Sequence, residues 1–404
     1  MTKQKVLLVA LLAMTLTAAT AVGAKLNFGG DLGFVLFDVS NGSGIQPSRD
    51  SLGNAVPKPY GDTTGRVNTY LEAHSLGLYW NVQLTDNVSV SALTEVGGTT
   101  TSATPSLGRK LGTQQGDAGT LKALALPEAY IQVMLPWQVQ MSSGIIRPSF
   151  SEDYGEKKGY QEANRLFKSS ANAFGGEWHD MGIELYKSFE PGGGLSIPAY
   201  AYLLAGEQPI GDNNSNKALL FHVAPSFWKL RVLGSFGFGK DGPDSTLEPW
   251  TRYALGLGGD FGRAWFRTEF FSGTWDGATA YNHAAEGGVD TVAFTQKPIA
   301  YYVKAGYSLV PDKLGLVLVY DQYTPEWTTW AKLGYSGGAS NMTTMDNGQK
   351  TGESYTTIGA TIQYWVIPGS AILLEYNRGM WKVGDGTLDK IDFNRFTLGW
   401  RTIF

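Results

Sequence analysis

The last fourteen residues constrain the fold more than any other stretch. Phe404, Thr402, Trp400, Leu398 and Phe396 alternate with Ile403, Arg401, Gly399, Thr397 and Arg395. Side chains of a strand point alternately to its two faces. One face is therefore aromatic and apolar, and the other carries two arginines. A soluble sandwich would bury the first face and wet the second. A transmembrane barrel would turn the first to lipid and the arginines to an aqueous lumen.

The start of the chain favours export. Lys3 and Lys5 precede an apolar run from Val6 to Val22, closed by Gly23-Ala24. This is the order of a secretory leader, so residues 1–24 are expected to be a signal peptide and 25–404 the mature chain. No later segment approaches about 18 consecutive apolar residues, so a membrane reading requires a closed barrel. The 52 Gly, 20 Tyr, 19 Phe and 12 Trp suit tight turns and aromatic girdles. The absence of Cys excludes disulfides, thiolate metal sites, a Cys nucleophile and covalent c-type haem. A net charge of −4 offers no basic field for nucleic acid. No nucleic-acid partner and no cofactor are expected.

The rest of the chain has a rhythm. Short turns fall near 84–87, 135–137, 190–194, 228–229, 261–263, 310–313 and 367–369. Long polar connections fall near 39–66, 98–120, 150–175, 207–215, 241–248, 274–295, 325–351 and 381–389. Seven turns and eight loops predict sixteen strands, an all-β antiparallel transmembrane barrel with short periplasmic turns and long extracellular loops. The first strand starts at Lys25, with Leu26, Phe28, Leu32, Phe34 and Leu36 on one face. Later, Tyr301, Val303, Ala305 and Tyr307 alternate with Tyr302, Lys304 and Gly306, and Ile358, Ala360, Ile362 and Tyr364 with Thr357, Gly359, Thr361 and Gln363. Charge avoids the apolar face in each, as a lipid solvent would select.

The opposite face then lines a lumen. Its candidate acids are Asp31, Glu72, Glu95, Glu128, Asp180, Glu184, Asp260, Glu269, Asp321 and Glu375. Its candidate bases are Arg231, Arg252, Arg267, Lys304, Arg395 and Arg401. Acids on early strands and bases about half a circumference later would face each other and set a field across the pore. The alternative is that they pair locally and only keep the lumen wet.

A chain that stops on an aromatic in such a strand resembles the Gram-negative outer-membrane barrels. Sixteen strands, a leader, the terminal Phe404 and a long third loop together resemble bacterial porins. In that family the third loop folds inward and narrows the pore. The resemblance makes Glu152, Asp153, Glu156, Lys157, Lys158, Glu162 and Arg165 candidate constriction residues; the alternative is a loop of solvated surface charge. The run Gly144, Arg147, Pro148, Phe150 also resembles the strand end before that loop in phosphate-selective-type porins, although no dense Arg or Lys ladder follows. The implied partners are the outer-membrane bilayer, small hydrophilic solutes and, since porins of this size commonly form trimers, a homotrimer.

Enzyme motifs are weak. Gly334-Tyr335-Ser336-Gly337-Gly338 matches Gly-x-Ser-x-Gly only in letters, inside a polar loop. Gly234 to Lys240 has P-loop spacing, but Asp241 stands where Ser or Thr should hold magnesium. The expected function is a non-enzymatic passive diffusion channel. Two alternatives stay open: a barrel sheath around a multihaem cytochrome, and an outer-membrane hydrolase using His74 or His222.

Overall fold

The computed structural model describes residues 25–43, 45–49, 55–59, 66–68, 72–97, 124–151, 179–205, 215–241, 248–283, 288–324, 327–333, 354–383 and 389–403. The expected leader, Phe404 and the seven candidate constriction residues from Glu152 to Arg165 lie outside the described residues. The wall strands are β1 (Lys25–Ser43), β2 (Arg66–Asn68 with Glu72–Thr85), β3 (Val88–Gly97), β4 (Leu124–Leu135), β5 (Val139–Ile146) and β6 (Asp180–Gly192). Next come β7 (Leu195–Leu204), β8 (Ala218–Val223 with Ser226–Phe227), β9 (Leu230–Asp241), β10 (Glu248–Asp260) and β11 (Ala264–His283). The wall ends with β12 (Gly288–Gln296 with Ile299–Val310), β13 (Leu314–Thr324 with Trp327–Leu333), β14 (Ser354–Ile367), β15 (Ser370–Val383) and β16 (Asp389–Ile403). The sheet holds twenty hydrogen-bonded segments. Arg66–Asn68, Ser226–Phe227, Gly288–Gln296 and Trp327–Leu333 each extend a strand across a break, which leaves sixteen.

Each strand pairs antiparallel with the next, and β16 pairs back onto β1 from Asp31↔Ile403 to Ser43↔Asp392. That seam closes the barrel and leaves no free wall edge. With an even strand number, β1 begins and β16 ends at the end that carries the short turns.

The two faces differ as lipid and water require. Along β12, Ile299, Tyr301, Val303, Ala305 and Tyr307 are exposed while Ala300, Tyr302, Lys304 and Gly306 are buried. The outward set continues around the wall with Val232, Phe236, Leu255, Leu318, Ile362, Leu374 and Trp400, all exposed. A continuous apolar exterior this large is stable only in an apolar solvent. The barrel is a transmembrane one. At the short-turn end, Trp137 and Trp228 sit at turn tips with φ of 60° and 57° and are 86% and 76% exposed. Amphipathic rings at that height suit the membrane–water interface.

Among the described residues, a packed apolar cluster lies inside the barrel. Ile146, Phe150, Tyr202, Leu204, Leu220 and Phe271 belong to it. Cross-strand packing can be close enough to demand glycine. A Cβ on Gly306 would meet the Trp265 ring at about 2.1 Å, so the indole lies directly over that glycine. Gly306→Val is expected to cost at least the roughly 1–3 kcal/mol typical of overpacking, read as a lower urea midpoint for unfolding from detergent micelles.

Several expected boundaries move. The connection expected at 274–295 is mostly sheet: β11 and β12 pair from Trp275↔Gln296 to His283↔Gly288, so only 284–287 join them. Trp327–Leu333 likewise is strand within the expected loop 325–351, and β1 runs on to Ser43. Within the expected loop 39–66, Ile45–Arg49 and Ala55–Pro59 form a separate hairpin. Strands that project beyond the hydrocarbon layer have water on both faces. They keep their hydrogen bonds but lose the apolar alternation by which a sequence reveals them. In β1, a register shift between Val35 and Phe37 leaves Phe37, not Leu36, opposite Leu398. A one-residue bulge inverts the two-residue period beyond it.

Candidate channel interior

Arg231, Arg252, Arg267, Lys304 and Arg401 fall at lumen positions, and three of them form a row; the side chains of Arg395, Asp31, Glu72 and Glu95 lie outside the described ones. Arg231 pairs with Gly258, Gly258 with Arg267, and Arg267 with Lys304. Neighbouring strands lie about 4.8 Å apart, so Arg267 and Lys304 are adjacent and Arg231 is one strand further away. The glycines of β10 make this possible. A Cβ on Gly258 would meet Arg267 Cδ at 2.9 Å, and one on Gly256 would meet Glu269 Cγ at 2.7 Å. The Arg267 guanidinium donates to the carbonyls of Gly259 (3.1 Å) and Phe266 (2.8 Å). Arg252 is not part of that row. It pairs with Gly237 and Gly273 and stacks on Trp250 at 4.7 Å. Arg401 pairs with Gly33 and Ala371, and Arg395 takes the register position between Ser40 and Asn377.

Acids occur on both walls. Glu128 on β4 lies 3.6 Å from His179, and Glu184 on β6 accepts from Ser142 at 3.0 Å. Glu269, Asp321 and Glu375 are buried on β11, β13 and β15, among the bases. Among the described side chains, acids thus lie on both walls and the bases Arg231, Arg252, Arg267 and Lys304 on one. Asp260 is not a lumen acid. It is exposed at a strand end and accepts the Gly262 amide at 3.1 Å, closing a turn.

The chain leaving β5 turns into the lumen. Ser149 N donates to Tyr202 Oη on β7 (3.1 Å), and Ser235 Oγ on β9 donates to the Phe150 carbonyl (2.6 Å). Ser151 Oγ donates to Glu269 Oε2 on β11 (2.6 Å), whose Oε1 accepts from Tyr302 Oη on β12 (2.8 Å). The Phe150 and Phe271 rings are 6.4 Å apart. Residues 149–151 therefore span from β5 to the inner surface of β7, β9 and β11. The alternation of β9, β11 and β12 places Ser235, Glu269 and Tyr302 on the inner face. It gives no hint that Ser149 and Ser151 would reach them.

The same contacts bear on hydrolysis. His222 Nδ1 lies 2.7 Å from Ser235 Oγ. The single hydroxyl proton of Ser235 goes to the Phe150 carbonyl, so Nδ1 carries a proton and donates to Oγ. In that arrangement Ser235 accepts from His222 rather than donating to it. The His74 side chain lies outside the described ones.

No family model and no curated protein sequence matches the chain. Solved structures do. OmpT, an outer membrane protein of Vibrio cholerae, in its trimer form, aligns with a TM-score of 0.56 at 14% identity, covering 94% of this chain and 99% of that one. Salmonella typhi OmpF, in complex with daunomycin, gives 0.55 at 14% identity over 95% and 99%. The outer membrane channel DcaP of Acinetobacter baumannii gives 0.52 at 12% identity over 94% and 97%. The chain has the antiparallel barrel fold of the bacterial outer-membrane porins.

Proposed function

We propose that the protein is a non-enzymatic outer-membrane porin, a passive diffusion channel for small hydrophilic solutes and ions. The observation that carries this reading is the clamping of Ser149–Ser151 to the inner wall, because it starts the third long loop inside the barrel. On this reading the loop that follows, with Glu152, Asp153, Glu156, Lys157, Lys158, Glu162 and Arg165, is the constriction of the channel. Residues 1–24 act as the export leader. A homotrimer is part of this reading. Among the described side chains, β3 and β5 have no large exposed apolar one, although β4 between them carries Ile131 and Met134, whereas β6, β9 and β12 each have several.

The purified full-length protein in a planar bilayer should give stepwise conductance; a folded barrel that never conducts would rule out the channel. The cation row predicts selectivity. One unit charge at 4 Å is worth about 1 kcal/mol in water. Arg231→Gln with Lys304→Gln should therefore lower the chloride-to-potassium permeability ratio several-fold, read from reversal potentials in a salt gradient.

A further inference from the structure

Near the short-turn end, β1 to β4 carry one inner row of polar side chains. Asn27 pairs with Asn81, Asn81 with Ser91, and Ser91 with Tyr130. The row borders a cavity of about 340 Å³ that Tyr79 and Glu128 also line. Asn81 Nδ2 donates to Ser91 Oγ at 2.9 Å, which fixes the amide. Glu128 is buried and engaged with His179 at 3.6 Å. What the cavity offers a solute is therefore amide and hydroxyl groups beside two half-buried tyrosine rings.

We propose that this cavity is a weak subsite for neutral, ring-form monosaccharides; the proposal rests on the channel reading. Amides and hydroxyls at strand spacing can exchange hydrogen bonds with several sugar hydroxyls, which leaves few of them unpaired. The tyrosine rings offer a flat apolar surface to the C–H face of a pyranose. An ion would lose hydration here and meet only Glu128, which is 3% exposed and already engaged with His179. The volume is at the small end of ligand pockets, roughly 300–1,000 Å³, which suits one sugar ring rather than an oligosaccharide. A channel needs such a site to be weak, so that the solute leaves again.

The test uses the full-length protein in detergent, with glucose as probe and the acyclic polyol mannitol as comparator, followed by saturation-transfer NMR. Glucose should bind saturably in the millimolar range and more tightly than mannitol. Asn27→Ala with Asn81→Ala should weaken glucose binding by about tenfold or more, at roughly 1 kcal/mol per lost hydrogen bond. Tyr130→Phe, which removes only a hydroxyl, gives a second variant should the double one fail to fold, and it should weaken glucose binding as well. No saturable glucose binding, equal binding of mannitol, or unchanged binding in the folded variants would overturn the proposal. Binding in detergent needs no conduction. Glucose binding without conductance would leave the subsite standing and remove the channel reading, and conductance without glucose binding would do the reverse.

Discussion

Glu269→Ala is expected to raise single-channel conductance and to destabilise the barrel. Glu269 is 2% exposed, and its two oxygens accept from Tyr302 and from Ser151. Truncation takes the acceptor from both hydroxyls at a cost of about 1–3 kcal/mol for each donor left unsatisfied. The loop base would then still be held by the Ser149 and Phe150 contacts to Tyr202, Ser235 and Phe271. If the proposed constriction is anchored here, its release should raise conductance and let larger solutes enter proteoliposomes. Ser151→Ala removes one of these bonds and should show the same change in smaller measure. A folded Glu269→Ala barrel with wild-type conductance would mean that this clamp does not hold the constriction.

Leu255→Arg tests the outer face. Leu255 is 62% exposed and lies five residues before the end of β10. At about 3.4 Å per residue, reduced by strand tilt, that is roughly 12 Å from the short-turn rim, near the middle of the apolar band. A charge there should cost about 2–4 kcal/mol, measured by urea unfolding from lipid vesicles. Leu255→Ala removes volume without adding charge and should cost clearly less. Equal stability of the two variants would mean that this face does not meet lipid.

Much of the wall is legible in the sequence because a strand's period is local. Tyr301 to Tyr307 and Thr357 to Tyr364 announce their faces by alternation alone, and lipid outside with water inside keeps that signal clean. The signal fades where the environment stops differing between faces. The stretch 274–295 reads as loop although it is mostly paired, because its residues do not alternate between apolar and polar. It also slips at a bulge, as at Leu36. For the lumen, sequence places Arg231, Arg267 and Lys304 inward, but not side by side. Their row depends on how far each strand slides against the next, with Gly258 leaving the room that Arg267 occupies.

The sequence by itself determined an antiparallel transmembrane barrel, most of its strand rhythm and, away from the bulges, which side chains face lipid, since each follows from alternation and turn spacing. Only the tertiary structure decided what meets across the lumen. Ser151 and Glu269 are 118 residues apart, and Asn27, Asn81, Ser91 and Tyr130 come from four different strands. Their proximity is a consequence of register and of closure at the seam between β1 and β16. Both are fixed by hydrogen bonds between distant segments, and no local pattern encodes them.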